Sequence, residues 1–421
     1  MSENILVTGG RIVDPSSGTD RRADLALADG KVLAIGDVPC DFRADHTLDA
    51  EGCLVVPGPV DLAARLREPG YEHEGMLESE LAAAVAGGVT SLVCPPDTDP
   101  VLDEPGLVEM LKFRAEKMRR ARLYPLGALT LGLAGEVLTE MAALTEAGCI
   151  GFSQADVPLG STQVLQRALL YASTFGYTVW LRPQDRDLGR GVAASGPLAT
   201  RLGLAGIPPA AETIAVFTII ELMRSTGARV HLCRLSSAGG VAQVRAAKAE
   251  GLPLTCDVSI NSLLLADTDI GYFDSRAARS AAAPAARPRC AVGGAGRRHH
   301  RCAGVRPRRS RPMPRRCLAE SEPGAGLEPL LLLALQWGEQ SGAGLLRAIE
   351  AVARRRGGSS ARPTPDASPG PRRRHLRVRP GNGVAGTARR TAEPGQAHAL
   401  RRLRVARAGG FTLVDGRKVH G

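Results

Sequence analysis

Aromatic residues are scarce: Phe, Trp and Tyr make up 3% of the 421 residues. The most basic stretches of the chain contain none, which argues against base stacking along them. Long apolar runs are also missing. The densest, Leu330–Leu335, falls far short of the ~20 residues a membrane span requires. No two of the 9 cysteines form a CxxC pair, which removes the common zinc and redox frameworks. The opening Met1-Ser-Glu-Asn-Ile-Leu6 runs directly into a strand-like segment and lacks the basic-then-apolar layout of a secretion signal. Reduced, mostly buried thiols and a cytoplasmic location are expected.

Acidic residues and lysine are nearly absent from two stretches. Arg276–Cys317 holds 13 Arg with no Asp, Glu or Lys, and Arg354–Gly409 holds 15 Arg with one Asp and one Glu. The formal charge of +11 is therefore no average, because the remaining residues number 26 basic and 41 acidic, a balance of −15. Both stretches are rich in Arg, Pro, Ala and Gly and show neither helical nor strand periodicity. Three readings are open: an Arg-rich nucleic-acid-binding segment, a solvated disordered insert, and out-of-frame translation of a GC-rich gene. Missing lysines and aromatics count against nucleic acid. Ordinary protein text resumes at Leu318–Val352 and again at Phe411–Gly421, which favours frame disruption.

Outside these stretches the text is that of an α/β protein. Ile5–Asp14 gives two strands about Gly9-Gly10, Ala23–Ala28 leads to the turn Asp29-Gly30, and Lys31–Gly36 and Thr47–Val56 continue a small β-domain. Phe411–Val419 has the same texture, with a turn at Asp415-Gly416, and is expected to close onto the N-terminal sheet. From Val55 onward strands alternate with helices. The strands are expected at Val55–Leu62, Thr90–Cys94, Ala121–Leu126, Cys149–Phe152, Tyr177–Leu181, Arg229–Cys233 and Leu252–Val258. Helices are expected at Leu77–Ala86, Glu136–Ala147 and Ala211–Ser225. Seven such units predict a (β/α)8 TIM-type barrel with a small β-sandwich domain drawn from both termini. No strand is legible in 290–310, so the barrel is expected to be incomplete at strand 8. Open edges beside strands one and seven then predict poor folding or aggregation.

The expected divisions are 1–55 for the first part of the β-sandwich domain and 56–352 for the barrel, disrupted at 276–317. An Arg/Pro-rich segment over 353–410 and a last sandwich strand over 411–421 complete the chain.

The segment Val56-Pro-Gly-Pro-Val-Asp61 with Leu66-Arg-Glu-Pro-Gly70 resembles the first-strand signature of dihydroorotases. Ala84–Pro95, Asp97-Thr-Asp-Pro100, Gly148–Phe152, Gln184-Asp185 with Leu188, and His231–Ser237 follow in that family's order. The resemblance covers 1–275 almost continuously, then 318–352 and 411–421. It implies an amidohydrolase barrel that uses zinc to generate a hydroxide against a cyclic amide. It also identifies where this sequence departs. The His-x-His positions after Asp61 are Ala63 and Arg65. The fifth- and sixth-strand histidines are Arg182 and Arg234. The fourth-strand ligand should fall near Ser153-Gln154-Ala155, with Asp156 displaced from it. The seventh-strand histidines fall at Asn261 and Ser262, and the eighth-strand Asp-His motif is missing.

Arginine carries no lone pair for zinc, so the family zinc is expected to be absent and no catalytic residue is assigned. Arg65, Arg182 and Arg234 are read either as a substitute for the metal charge or an anion site, or as structural ion pairs with carboxylates such as Asp61 or Asp185. Arg67, Asp97 and Asn261 outline a vestigial substrate pocket. Arg67 stands where the family binds a carboxylate, and Asp97 stands where it has a substrate-contacting Asn, an exchange that repels an anion. His231 is read as a retained family position or a satisfied core histidine, and His73 as a surface residue. The cluster His299-His300 with Cys302 fits no standard zinc spacing. Leu77–Asp99 resembles the family's non-catalytic branch in particular. That resemblance implies an oligomeric assembly with the catalytic chain of aspartate transcarbamoylase. Two alternatives stand: an active metal-dependent dihydroorotase with at least three unrecognised ligands at the barrel mouth, and an Arg-rich nucleic-acid binder.

Overall fold

The computed structural model describes residues 3–265, 301–303, 329–353, 384–387, 411–415 and 417–420. The first six strands are β1 (Ile5–Thr8), β2 (Arg11–Asp14), β3 (Thr19–Arg22), β4 (Leu25–Ala28), β5 (Lys31–Ile35) and β6 (His46–Asp49). Strands β5-β4-β1-β6 form one sheet. The expected strand 47–56 is broken by a turn at Ala50–Cys53, where Gly52 has a φ of 74°. The chain resumes as β7 (Leu54–Pro57), which pairs with β2 in a second sheet. One hydrophobic cluster spans the facing sides of both sheets. Ile5, Val7, Leu25 and Leu27 meet Ile12, Val55 and Leu413 there.

Parallel strands then alternate with helices. They are β8 (Val60–Asp61), β9 (Ser91–Cys94), β10 (Arg122–Pro125), β11 (Gly127–Ala128), β12 (Phe152–Ser153), β13 (Thr178–Leu181), the short pair β14 (Ala193–Ala194) and β15 (Gly206–Ile207), β16 (Arg229–Leu232) and β17 (Leu254–Ser259). The intervening helices are α1 (Leu77–Ala86), α2 (Pro105–Met118), α3 (Met141–Ala147), α4 (Thr162–Phe175), α5 (Pro197–Arg201), α6 (Ala210–Thr226), α7 (Ala238–Ala249) and α8 (Ile260–Leu264). Each main strand pairs in parallel with the next, in the orders β8-β9-β10 and β11-β12-β13-β16-β17. Strands buried on both faces read as unbroken apolar runs, and all four residues of β9 are buried. The layer between sheet and helices is the largest core. A second cluster of Val60, Leu62, Val93, Leu126 and Trp180, with Cys233 against it, comes from strand faces turned away from that layer. Two further helices, α9 (Leu330–Gln340) and α10 (Leu345–Ala353), bury Trp337, Leu333 and Ile349 in the main core.

Several expectations are corrected. Helix α3 begins at Met141 rather than Glu136, because Thr139 is spent on the loop: its N–H donates to Leu129 O and its hydroxyl to Ala128 O. The window without a legible strand contains β18 (Arg301–Ala303), paired in parallel with β17 through Asp257↔Arg301. The second basic stretch contributes β19 (Val384–Thr387), paired with β7. Main-chain pairing against an open strand edge needs no apolar alternation, so segments of three and four residues leave no periodic mark. β19 then carries β20 (Thr412–Val414) and β21 (Arg417–His420) into the sheet of β7, β2 and β3. The C-terminal strands thus join the N-terminal sheet, as their texture suggested. Thr412 Oγ1 donates to Val85 O on α1 at 2.7 Å, and Arg122 of β10 pairs with Asp415. Among the described residues no helix is long and apolar enough to cross a membrane.

Candidate functional site

In parallel α/β sheets the residues that can share a ligand sit just beyond the carboxyl ends of the strands. Here Asp61 ends β8, Asp97 follows β9, Asp156 follows β12, Arg182 follows β13, Arg234 follows β16 and Asp257 lies in β17.

Arg65, 6% exposed, is the most deeply placed cation of this set. Its Nε donates to Asp97 Oδ2 at 2.5 Å and its Nη2 to Asp156 Oδ2 at 2.9 Å. Arg182 Nη1 lies 3.3 Å from Asp156 Oδ1, and Arg234 Nη2 pairs with the same oxygen. Three guanidiniums from three different strand ends therefore converge on one carboxylate. Desolvated charges of this kind persist only when paired, and the pairing partners are Asp156 and Asp97. Asp185, an expected partner, instead accepts the main-chain N–H groups of Asp187 and Leu188. Asp156, set aside from the sequence as displaced, is the hub. It reaches the arginines because Ala155 turns the chain with a φ of 51°, a conformation that disfavours Cβ-bearing residues. The fourth-strand ligand position itself is turned away. Gln154 is buried, accepting from Thr130 Oγ1 at 3.0 Å and donating to Leu133 O at 2.7 Å.

Ala63 donates its N–H to the fully buried Asp61 at 2.8 Å and offers no ligand atom. Arg67 is buried with a φ of 64° and pairs with Glu74 at 3.3 Å inside its own loop. Asp97 accepts from Arg65 Nε. Asn261, on α8, is 5% exposed, and its Oδ1 accepts no hydrogen bond among the described residues. Ser262, half-buried, neighbours it on the same helix. His73 is exposed. His299 and His300 lie outside the described residues, as does the Cys302 side chain.

Beside the arginines lies a group that the sequence reading only touched. His231 donates or accepts at both nitrogens, with Thr255 Oγ1 and Asp257 Oδ2 each at 2.8 Å. Trp180 covers its ring at a centroid distance of 4.2 Å. Asp257 also accepts the Arg234 N–H at 2.6 Å. Cys233 lies next to Asp257, and the ligand atoms of His231, Cys233 and Asp257 fall within 4.8 Å of one another. Burial and the Asp257 charge push the Cys233 thiol well up, against the opposing pull of Arg182 and Arg65. Register explains the grouping: β16 and β17 pair Leu232 with Cys256, so the next residues, Cys233 and Asp257, stand side by side. Period-2 alternation places His231 and Cys233 on one face. That signal was present in the sequence but needed the strand pairing to be read.

Zinc requires three or four lone-pair donors aimed at one point. The family's ligand positions fail this test, because one is an alanine and three are guanidiniums already turned onto carboxylates.

A family model for Dihydro-orotase-like proteins matches residues 52–239. Over that segment, just under half of the chain, it is similar to the dihydroorotase-like family. The chain is 47% identical over 272 residues to a dihydroorotase-like protein of Pseudomonas aeruginosa, covering 64% of each. It is 38% identical over 275 residues to a dihydroorotase of Geobacter sp., covering 65% of each. It thus spans just under two thirds of the length of these relatives. Among solved structures it is similar to L-hydantoinase (dihydropyrimidinase) from Arthrobacter aurescens, with a TM-score of 0.68, 20% identity, and coverage of 84% of this chain and 80% of that one. A likeness at that identity shows the fold alone, an α/β arrangement of parallel strands and helices.

Proposed function

We propose that this chain is a non-catalytic member of the dihydroorotase-like family, serving as a cytoplasmic assembly partner of the aspartate transcarbamoylase catalytic chain. The observation that carries the reading is the conversion of the metal-ligand positions into a salt-bridge hub. With Arg65, Arg182 and Arg234 held on Asp156, the positive charge a dication would supply is built into the protein. Nothing at those positions generates a nucleophile. The higher identity to the relatives named dihydroorotase-like than to those named dihydroorotase agrees with it. The proposal includes a barrel of residues 56–352, disrupted at 276–317, and a small β-sandwich formed by 1–55 and 411–421. It leaves 353–410 as an Arg/Pro-rich connection crossed by β19.

One observation favours the active alternative: His231, Cys233 and Asp257 are a three-ligand set of mixed N, S and O donors. Against it, Cys233 must lose a proton that burial and Asp257 hold on, and Arg182 and Arg65 oppose a second positive ion. The test is metal content and dihydroorotase activity of the purified chain after zinc loading, alongside co-purification with aspartate transcarbamoylase. Zinc-free protein that co-purifies and gives no turnover is the expected result. Stoichiometric zinc with zinc-dependent turnover would overturn the proposal.

A further inference from the structure

We propose that the solvent face of α2 is a twofold interface through which the chain pairs with a second copy of itself. This surface is independent of the metal-free reading above. The helix runs 14 residues, Pro105–Met118, and turns Val108, Leu111 and Ala115 into the core. A helix that meets only water on its other side carries polar residues there. This one carries Phe113, 68% exposed and the most exposed large apolar side chain among the described residues. Met110, also exposed, stands three positions earlier and so shares its stripe. A lone apolar residue on a surface needs no explanation. An aromatic and a Met side by side are the residue types enriched where proteins meet, and this chain has only 7 Phe and 7 Met to place.

The charges name the partner. Glu109 stands four residues before Phe113 and Lys117 four residues after it, both exposed. Neither takes part in an ion pair among the described residues. In an antiparallel helix crossing centred on Phe113, each residue faces the partner's residue at the same distance on the other side of the centre. Glu109 then lies opposite the partner's Lys117, about 6 Å along the axis from Phe113, and the twofold repeats the pair. One step further out, Gly106 comes opposite the partner's Arg120. An added Cβ at Gly106 would meet nothing within 4 Å, so that end has room for a long side chain. An unrelated partner would have to match this charge order by coincidence, whereas a second copy matches it by symmetry. Two faces of one helix are small beside the ~1,000 Å² a specific interface needs. Leu131 and Val137, 46% and 59% exposed, add apolar surface beyond the helix. Their loop is tied to the start of α2 by the Gly132 N–H, which donates to Asp103 at 2.7 Å.

Sedimentation equilibrium of the full-length chain over a range of concentrations reads the monomer–dimer balance. A dimer is expected, with dissociation raised about tenfold or more by Phe113→Ala, as for an aromatic at the centre of an interface. Glu109→Lys and Lys117→Glu each set like charges against each other and should weaken the dimer too. Mixing those two single variants, or combining both changes in one chain, sets opposite charges face to face again and should bring the dimer back. All these side chains face solvent, so circular dichroism should show the wild-type fold in every variant. A chain that stays monomeric at every concentration would overturn the proposal, including one whose α2 variants lose only aspartate transcarbamoylase. So would a dimer that all three single variants leave unchanged, or charge-reversed variants that fail to recover on mixing.

Discussion

Glu212 on α6 is a buried carboxylate that accepts four hydrogen bonds. It is 8% exposed, and it accepts Ser236 N–H at 2.7 Å, Ser237 N–H at 2.8 Å and both serine hydroxyls at 2.6 Å. The loop it holds follows Arg234, whose φ of 55° is itself unfavourable, and leads into α7, where Ser237 is the N-cap that accepts Gly240 N–H. Glu212→Ala removes all four acceptor contacts. The hydroxyls can rotate toward other acceptors, so only the two main-chain bonds are counted. Hydrogen bonds to a charged group contribute about 1.5–3 kcal/mol each, giving a loss of about 3–6 kcal/mol, a large fraction of the ~5–15 kcal/mol that holds a domain folded. Glu212→Gln keeps one acceptor but turns an amide N–H₂ toward N–H donors, and it should fall between wild type and Ala. Equilibrium urea unfolding followed by circular dichroism measures both. A Glu212→Ala variant within about 0.5 kcal/mol of wild type, the range of inert surface changes, would refute the assignment of this carboxylate as the anchor of the β16–α7 loop.

Leu413 of β20 is fully buried between the two N-terminal sheets. Leu413→Ala should cost about 2–5 kcal/mol in the same urea assay, showing that the last strands belong to the folded unit. Cys94 and Cys149, both pushed up to about 12 chiefly by burial, should resist a thiol reagent at pH 8. Exposed Cys40 should react promptly, and all should react after denaturation. Their folded values lie above the unfolded thiol value of about 8.5, so the stability they contribute is complete below about pH 8.5. It is lost as pH rises toward 12, and a Cys94→Ala/Cys149→Ala variant should flatten that fall. If the basic stretches bind nucleic acid, affinity must drop steeply with added salt. The expected outcome in a filter-binding titration is no specific, saltable complex.

Much of the fold was legible because its strands are short apolar runs separated by amphipathic helices. Leu77–Ala86 coincides with α1, and Tyr177–Leu181 contains β13. β18 and β19 were not legible, since a strand of three or four residues paired through its backbone carries no pattern that Arg, Gly and Ala cannot also spell by chance. The candidate site divided in the same way. Which residues stand at the strand ends followed from family order. Which carboxylate they share did not, because Asp156 reaches Arg65 across 91 positions of sequence through one left-handed residue, Ala155.

That division has a physical cause. A ligand position is a property of a strand end and survives in the order of motifs, whereas a charge network is closed by whichever carboxylate the loops can deliver. Three inward arginines cannot be buried without compensation, so the sequence already demanded anions nearby. Asp61, Asp97, Asp156, Asp185 and Asp257 were all available to meet that demand. The structure selects among them by geometry. Asp257 is engaged by His231 and the Arg234 main chain, and Asp185 caps its own turn. Among the described residues Asp97 pairs with Arg65, through Nε, while Asp156 meets all three guanidiniums.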